Sequence, residues 1–572
     1  MQPITKTIIY PAHFITWQLI AVLLCIAACN NTENNKVTDI VIAETPQQAD
    51  VKQAELIEKL VSYAIAHEGK VNDSIRLKQL VLLQKLYSQN NYQPIWNKEE
   101  NWEAIADSLY NIVQLSRRYG LFPADYHSHS LLRIRNTVIT DSLQRKNAAL
   151  WARADVLFTD ALFGIAHDLK LGRLAKDSVT LRSDSLLNDN YFSAICREAI
   201  TNKNIRPALE ALEPQHEGYH RLKTAIPAFL DSATFKKFTY VFYPNKDSLA
   251  LLKQVEKRLS EAGFNIISND TTSLKEAISK YQKQKGIKIT GKVGEQTTRS
   301  LNNTDWEKFK RIALTLDRYK QLPDSMPGQY IWVNIPSYYM QLRQADTVVF
   351  ESRVVVGKPN TRTPLLTGTI TNMVTYPQWT IPTSIITKEI LPGVKRNPNY
   401  LAKKGYMLLT NEGDLIDPAT VNWSKYTKGI PYRVVQGSGD DNALGILKFN
   451  FNNKYSVYLH DTNQRYLFKN ASRALSHGCV RVQEWSKLAQ FIIATDSIKA
   501  LLTDSTRYTK TDSLQAWLTR KEKHIIPVRN RLPVYIRYYS CEGKDGKVKF
   551  YEDIYGEDRI LTERYFANKP IN

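Results

Sequence analysis

The residues best suited to chemistry lie between positions 454 and 482. From Tyr455 to His460 the chain alternates with period two, so in a strand Tyr455, Val457 and Leu459 face one way and Ser456, Tyr458 and His460 the other. Ser476, His477, Gly478, Cys479, Val480, Arg481 and Val482 follow, and in an extended segment His477, Cys479 and Arg481 share a face. A thiol, two imidazoles and a guanidinium would then converge on one spot. The chemistry that fits is acyl transfer by a thiolate. A neutral thiol attacks poorly, so a nucleophilic Cys479 needs a base in reach or a cationic setting that lowers its pKa. His460, nineteen positions upstream, is the candidate base, returned beside the thiol by a hairpin or a crossover. Gly478 leaves the backbone free to place amides near a tetrahedral oxyanion. Arg481 has the planar fork that grips a carboxylate. Two other readings stay open: Cys479 as a buried core thiol, or His460, His477 and Cys479 as three zinc ligands, with no fourth ligand or Cys-x-x-Cys pair evident.

His460 followed by Ser476-His477-Gly478-Cys479 and Val480-Arg481-Val482 resembles the signature of the peptidoglycan L,D-transpeptidases. Gly357-Lys358-Pro359 resembles that family's turn into the catalytic sheet, and the Pro-x-Trp-x-Ile-Pro stretch containing Trp379, Ile381 and Pro382 is similar too. The resemblance implies Cys479 as nucleophile, His460 as base, His477 and Gly478 as supports of nucleophile and oxyanion, and Arg481 and Ser476 on the substrate side, with no metal or organic cofactor. Many small members have Asn where Arg481 stands, and the large periplasmic members tend to have Arg. The implied activity is cross-linking of third residues of peptidoglycan stem peptides through a Cys thioester, with release of D-alanine. The same site run with water would be an L,D-carboxypeptidase or endopeptidase, and a non-catalytic wall-binding scaffold is the alternative from another class.

The elements that must position these residues give a multidomain α + β architecture over 572 residues. Residues 76–245 read as a helical scaffold, with Leu80, Leu83 and Tyr87, then Ile105, Leu109 and Ile112, at helical spacing. Residues 246–304 resemble the three-helix peptidoglycan-binding domain: Asp247 or Ser248 caps a helix carrying Leu249, Leu252 and Leu259, a second helix carries Leu274, Ala277, Ile278 and Tyr281, and a Gly-rich turn at 290–294 precedes a third. A linking helix over 305–328 leads to a mainly-β catalytic domain at 329–500, interrupted at 388–437 by an insertion read as an active-site cap. Beyond Val482, Trp485, Leu488, Ala489 and Ile492 predict a helix backing the site. The extension at 501–572 carries a hairpin signal with Asp545-Gly546 in its turn.

Lys6 and the apolar stretch from Phe14 to Ala28 read as an export signal. Ala27-Ala28 before Cys29 resembles a bacterial lipoprotein cleavage site, implying a lipidated Cys29, membrane anchorage and a periplasmic enzyme. An uncleaved membrane anchor is the competing reading. Residues 30–75, opening Asn-Asn-Thr-Glu-Asn-Asn, read as a polar tether. The formal net charge of +21 suits an anionic partner. Wall polymer and lipid head groups fit better than nucleic acid, for which no zinc finger or RNA-binding signature exists. Five cysteines, Cys25, Cys29, Cys196, Cys479 and Cys541, make no disulfide framework.

Overall fold

Residues 40–502 and 509–571 are described by a computed structural model of the chain. They form two compact units, one made of the chain up to Leu115 with Pro123–His167 and Ser185–Ala211, the other of Ser116–Phe122, Asp168–Asp184 and everything from Leu212. The stretch from Phe14 to Ala28 and Cys29 lie outside the described residues. Among the described residues no helix is long and apolar enough to cross a membrane.

The first unit is helical. Its opening corrects the tether expected over 30–75, because Pro46–Ala66 is a helix. Thr45 accepts a hydrogen bond from the Gln48 amide, Pro46 sets the first turn, and Ala49, Leu56, Ile57, Leu60, Val61 and Ala64 are buried. Gln and Lys residues on the outer face mask that stripe when composition alone is read. At the centre of the unit Asp155 accepts hydrogen bonds from the Tyr87 hydroxyl, the Ile95 and Trp96 amides and the Asn97 side chain. His127 bonds to Asp160 at 2.7 Å, a satisfied histidine inside its own unit.

In the second unit, Ser248–Glu261, Thr271–Gln284 and Glu295–Asn302 form the three-helix module. Asp247 is the cap. The first helix is phased differently from the reading above: Leu251, Val255 and Leu259 pack inward while Leu249 is 70% exposed, since positions four apart, rather than the first leucine, set the stripe. Gln282 ties the Gly-rich turn to the second helix, accepting from the Thr290 and Gly291 amides and donating to the Lys292 carbonyl. The segment expected to link domains is instead a core helix, Asp305–Tyr319, whose Phe309, Ile312, Ala313, Leu314 and Leu316 are wholly buried. A helix apolar on several faces needs neighbours all round.

Strands Gln329–Asn334, Tyr339–Gln344 and Thr347–Gly357 run as an antiparallel meander. Val480–Val482 pairs with the last of these, Leu459–His460 with Val480–Val482, Leu447–Phe451 with Leu459–His460, and Leu366–Thr375 with Leu447–Phe451. The circuit closes through Pro533–Arg537, which lies between Leu366–Thr375 and Gln329–Asn334. Strands along this closed path have partners on both sides, so no edge is left to pair elsewhere. The 501–572 segment thus contributes Pro533–Arg537 to this sheet itself. The hairpin it also carries is confined to Cys541–Lys544 and Lys547–Phe550. The predicted helix Trp485–Leu502 packs Trp485, Leu488, Ala489 and Ile492 onto the sheet.

The insertion has a core of its own, including Ile381, Ile390, Leu391, Leu408, Trp423 and Val434. Its four short strands begin at Trp379–Thr380, ahead of the boundary expected at 388, because Trp379 and Thr380 pair with Gln436 and Val435. Within it, Ile386–Ile390 is a π-helical turn, a form often found at functional sites.

His216 caps the helix Glu217–Ser232, its Nδ1 accepting the Gly218 amide at 3.0 Å, and burial moves its pKa from 6.5 down to about 3, with the Arg343 charge adding to the effect. A base whose folded pKa is depressed gives stability that is complete above its unfolded pKa and is lost as pH falls toward the folded value. The thermal midpoint of this unit should fall as pH drops from about 6.5 toward about 3. In His216→Asn, which keeps a capping acceptor without a titrating ring, circular dichroism melts should show a shallower decline; identical slopes would refute the assignment.

Candidate active site

Two short strands build the centre. Leu459–His460 runs parallel to Val480–Val482 with Leu459 opposite Val480 and His460 opposite Arg481, and on the other side Lys448 stands opposite His460 in antiparallel register. Directly paired positions point to one face of a sheet, so Lys448, His460 and Arg481 form a row across three strands. The Val480 amide donates to the Tyr458 carbonyl at 3.1 Å, which seats Cys479 beside the segment leading to His460.

The strand expected from Tyr455 is only Leu459–His460. Asn453 accepts from the Tyr455 and Val457 amides at 3.0 Å, and Ser456 is in the left-handed region at φ 53°, so the chain turns before it extends. The turn carries the Ser456 carbonyl toward the thiol, where Cys479 Sγ donates to it over 3.9 Å.

Ser476 to Cys479 is likewise a turn between two strands, because Gly478 has φ 122°, a conformation that L side chains rarely adopt. Ser476, 2% exposed, donates from Oγ to the Cys479 carbonyl at 2.6 Å and accepts the Gly478 amide at 3.2 Å. Its hydroxyl locks the turn from inside and does not present itself to a substrate. Around it, Thr363 donates to the Gly478 carbonyl at 2.8 Å, and Thr361 and the Lys358 amide donate to the Ser476 carbonyl. Gly357 is obligatory here too, since a Cβ would lie 2.1 Å from the Thr361 carbonyl oxygen. Tyr555, from the C-terminal segment, clasps this layer by donating to the Gly357 carbonyl at 2.7 Å and accepting the Thr363 amide at 3.1 Å.

The turn separates His477 from Cys479 and Arg481, so the shared face expected of all three holds for the last two alone. His477 Nε2 bonds instead to Glu389 of the insertion's π-helical turn at 2.5 Å. With His477 directed there, His460, His477 and Cys479 do not form a three-ligand cluster among the described residues.

Electrostatics at the thiol run against the simple expectation of a lowered pKa. Burial pushes the Cys479 thiol up, opposed by the Tyr458 backbone amide and by the Lys448 and Arg481 charges. His460 is 4% exposed, and burial, followed by the Arg481 charge, moves its pKa down to about 3. Its Nδ1 has no hydrogen-bond partner among the described residues. Both side chains thus rest neutral, a thiol at Cys479 and an imidazole at His460. Asp461, 1% exposed, pins the following backbone by accepting the Ile446 amide at 3.1 Å and Arg465 at 3.0 Å. Arg481 donates to Gln464 at 2.9 Å and leaves its buried Nε unused.

Lys448, Glu389, Thr363 and Tyr555 were absent from the site residues read in the sequence, and Tyr458 was read only as sharing a strand face with His460. Lys448 had a signal in the alternation of Leu447-Lys448-Phe449, but only strand register shows that it meets His460. Glu389 and Tyr555 reach the motif across 88 and 198 positions respectively, with no local pattern to mark them.

Comparison with known proteins agrees with this anatomy. Residues 328–499 match the L,D-transpeptidase catalytic domain, residues 248–301 the "Putative peptidoglycan binding domain" and residues 81–226 the "Scaffold domain". A curated relative from Haemophilus influenzae, described as "Putative L,D-transpeptidase", is 36% identical over 253 residues, covering 44% of this chain and 49% of the relative. The chain thus spans about half the length of that relative. A solved structure titled "Structure of the Ldtfm-avibactam carbamoyl enzyme" aligns over 48% of this chain and 86% of its own at 13% identity, with a TM-score of 0.16, too low to bear on the fold. Residues 328–499 are an L,D-transpeptidase catalytic domain, carried on one chain with a scaffold domain and a peptidoglycan-binding domain.

Proposed function

We propose that the chain cross-links peptidoglycan stem peptides at their third residues, using Cys479 as nucleophile and His460 as base, and that it does so in the periplasm as a lipoprotein anchored through Cys29. The observation that supports the reading is the parallel register of Leu459 with Val480 and His460 with Arg481, which brings the strand that follows Cys479 alongside the strand of His460. The Ala27-Ala28-Cys29 sequence and the net charge of +21 support the location.

In the acylation step His460 removes the thiol proton as Sγ attacks the carbonyl of the third stem residue. The new C–S bond forms, the C–N bond to the terminal D-alanine breaks, and the departing amine takes the proton held by His460. An amine from a neighbouring stem then attacks the thioester, giving its proton to His460. A C–N bond replaces C–S, and the proton returns to sulfur. The backbone donor that the Gly478–Cys479 turn would offer the carbonyl oxygen as it gains charge is the Cys479 amide, since the Gly478 amide is held by Ser476. Because the thiol and imidazole both favour their neutral forms, the proton moves as the substrate is attacked, without a standing thiolate–imidazolium pair.

Two measurements test this. Incubated with disaccharide-tetrapeptide, the full chain should yield a dimer lacking one D-alanine, read by mass spectrometry, and none with Cys479→Ala; His460→Ala should retain about 10⁻² to 10⁻⁴ of the rate. Tripeptide as the sole product would replace transfer by hydrolysis, and no product from folded protein would leave a wall-binding scaffold. Second, alkylation of Cys479 by iodoacetamide should climb with pH past the ordinary thiol value of 9.0, and kcat/KM should show no acid limb near 6.5, since His460 stays neutral down to about 3. A plateau of alkylation near neutral pH would contradict the neutral-pair reading.

A further inference from the structure

Lys448 is a cation without a counter-ion in a place where cations are costly. It sits half-buried on the Leu447–Phe451 strand, opposite His460. Its ammonium lies 3.7 Å from the centre of the Tyr458 ring, and Tyr458 is the residue whose backbone amide faces Cys479 Sγ. Burial lowers the Lys448 pKa, and the one titratable group opposing that shift is the Cys479 thiol itself. Among the described residues no carboxylate pairs with it. Buried ammonium groups are ordinarily paired, and a strand at this position needs only a residue that covers Tyr458. Arg481, at the other end of the same row, is committed to Gln464 through one nitrogen and keeps its Nε unused. Two cations therefore lie on the row that holds His460, and among the described residues neither is paired with a carboxylate.

We infer that Lys448, with Arg481, forms a carboxylate-binding subsite beside Cys479, and that Lys448 engages the free C-terminal carboxylate of the residue leaving the acyl donor. This rests on the acyl-transfer reading for the identity of the carboxylate, though not for the existence of the subsite. The leaving residue's carboxylate is one residue beyond the scissile carbonyl, about 3.8 Å from Cα to Cα. Lys448 is two strand spacings from Val480–Val482, about 10 Å, and its ammonium stands over the Tyr458 ring, within electrostatic reach of the thiol. The spacing therefore suits a ligand whose carbonyl is at Sγ and whose carboxylate lies just past it. The substrate class is a peptide ending in a free carboxylate one residue after the attacked bond; a C-terminal amide or a longer chain forfeits the contact. Lys448 is accordingly a specificity-determining residue, and His460 and Cys479 carry the proton and the acyl group.

The test uses two reagents that alkylate the same sulfur. Iodoacetate carries a carboxylate and iodoacetamide does not, so the ratio of their rates at one pH cancels any change in the thiol itself. In the full chain that ratio should fall about tenfold with Lys448→Gln, the size of one charge-assisted contact, and be largely retained with Lys448→Arg. Equal slowing of both reagents would overturn the subsite and leave Lys448 as a group that acts on the thiol or packs on Tyr458. A measurement on the unaltered chain guards against a folding defect: N-acetyl-D-alanine should protect Cys479 from iodoacetamide and N-acetyl-D-alaninamide should not, and equal protection by both would likewise overturn the proposal. With a tetrapeptide donor and its C-terminal amide, Lys448→Gln should erase the preference for the acid mainly through KM. A chain that transfers no acyl group from either donor refutes the function proposed above, while the alkylation ratio still decides the role of Lys448.

Discussion

Leu459–His460 and Val480–Val482 are parallel neighbours, and parallel strands cannot be joined by a tight turn; they need a crossover of about a dozen residues or more. That constraint explains the separation of His460 and Cys479 along the chain. Positions 461–479 make the crossover, passing through a short 3-10 helix at Arg465–Lys469 and the Ala474–Ser476 strand before turning at Gly478. A much shorter connection would forbid the parallel pairing, and with it the register that sets His460 opposite Arg481. Most other features of the site serve this pairing. Asp461 fixes the exit from one strand, Ser476 and Thr363 fix the entry to the other, and Tyr555 holds the layer beneath.

Burial and charge oppose each other at the centre. Withdrawing Cys479 and His460 from water favours both neutral forms, while Lys448, Arg481 and the Tyr458 amide favour the thiolate. The same two cations repel a proton from His460, so they ease the first proton off sulfur yet make imidazolium harder to form. A substrate bringing its own negative charge between them would relieve that second effect, because an added anion offsets the cations on either side of the ring. In the mechanism proposed above, substrate charge and proton transfer would thereby be coupled by position.

Much of the site was legible because it is local. Ser476-His477-Gly478-Cys479 and Arg481 are close in sequence, the preceding histidine stands at crossover distance, and the flanking helix Trp485–Leu502 has a clean periodicity. Period-two alternation misled where turn chemistry intervened: Asn453 and Ser456 bend the segment before Leu459, and Gly478 rotates His477 away from Cys479 toward Glu389. Glycine and asparagine in short strands mark such bends, and alternation cannot be carried across them. The helix Pro46–Ala66 was hidden by a polar outer face, and the burial of the expected helix Asp305–Tyr319 was hidden by charged residues at its ends and ion-paired flanks. Lys448, Glu389 and Tyr555 were invisible for another reason. Each acts through contacts set by tertiary register, which no window of sequence contains.

Pro533–Arg537 fills a place between two strands that precede it by well over a hundred residues. A nascent chain emerges N-terminus first, and its early domains fold as units while later ones are still being made. The helical module at 248–301 can pack from residues already present, but the catalytic sheet stays open until this late strand arrives, and the clasp of Tyr555 on Gly357 comes later still. Synthesis itself thus keeps Cys479 in an unassembled setting until Pro533–Arg537 has been made. The order of the strands works as a timer, withholding the assembled site from every truncated product that stops short of Tyr555.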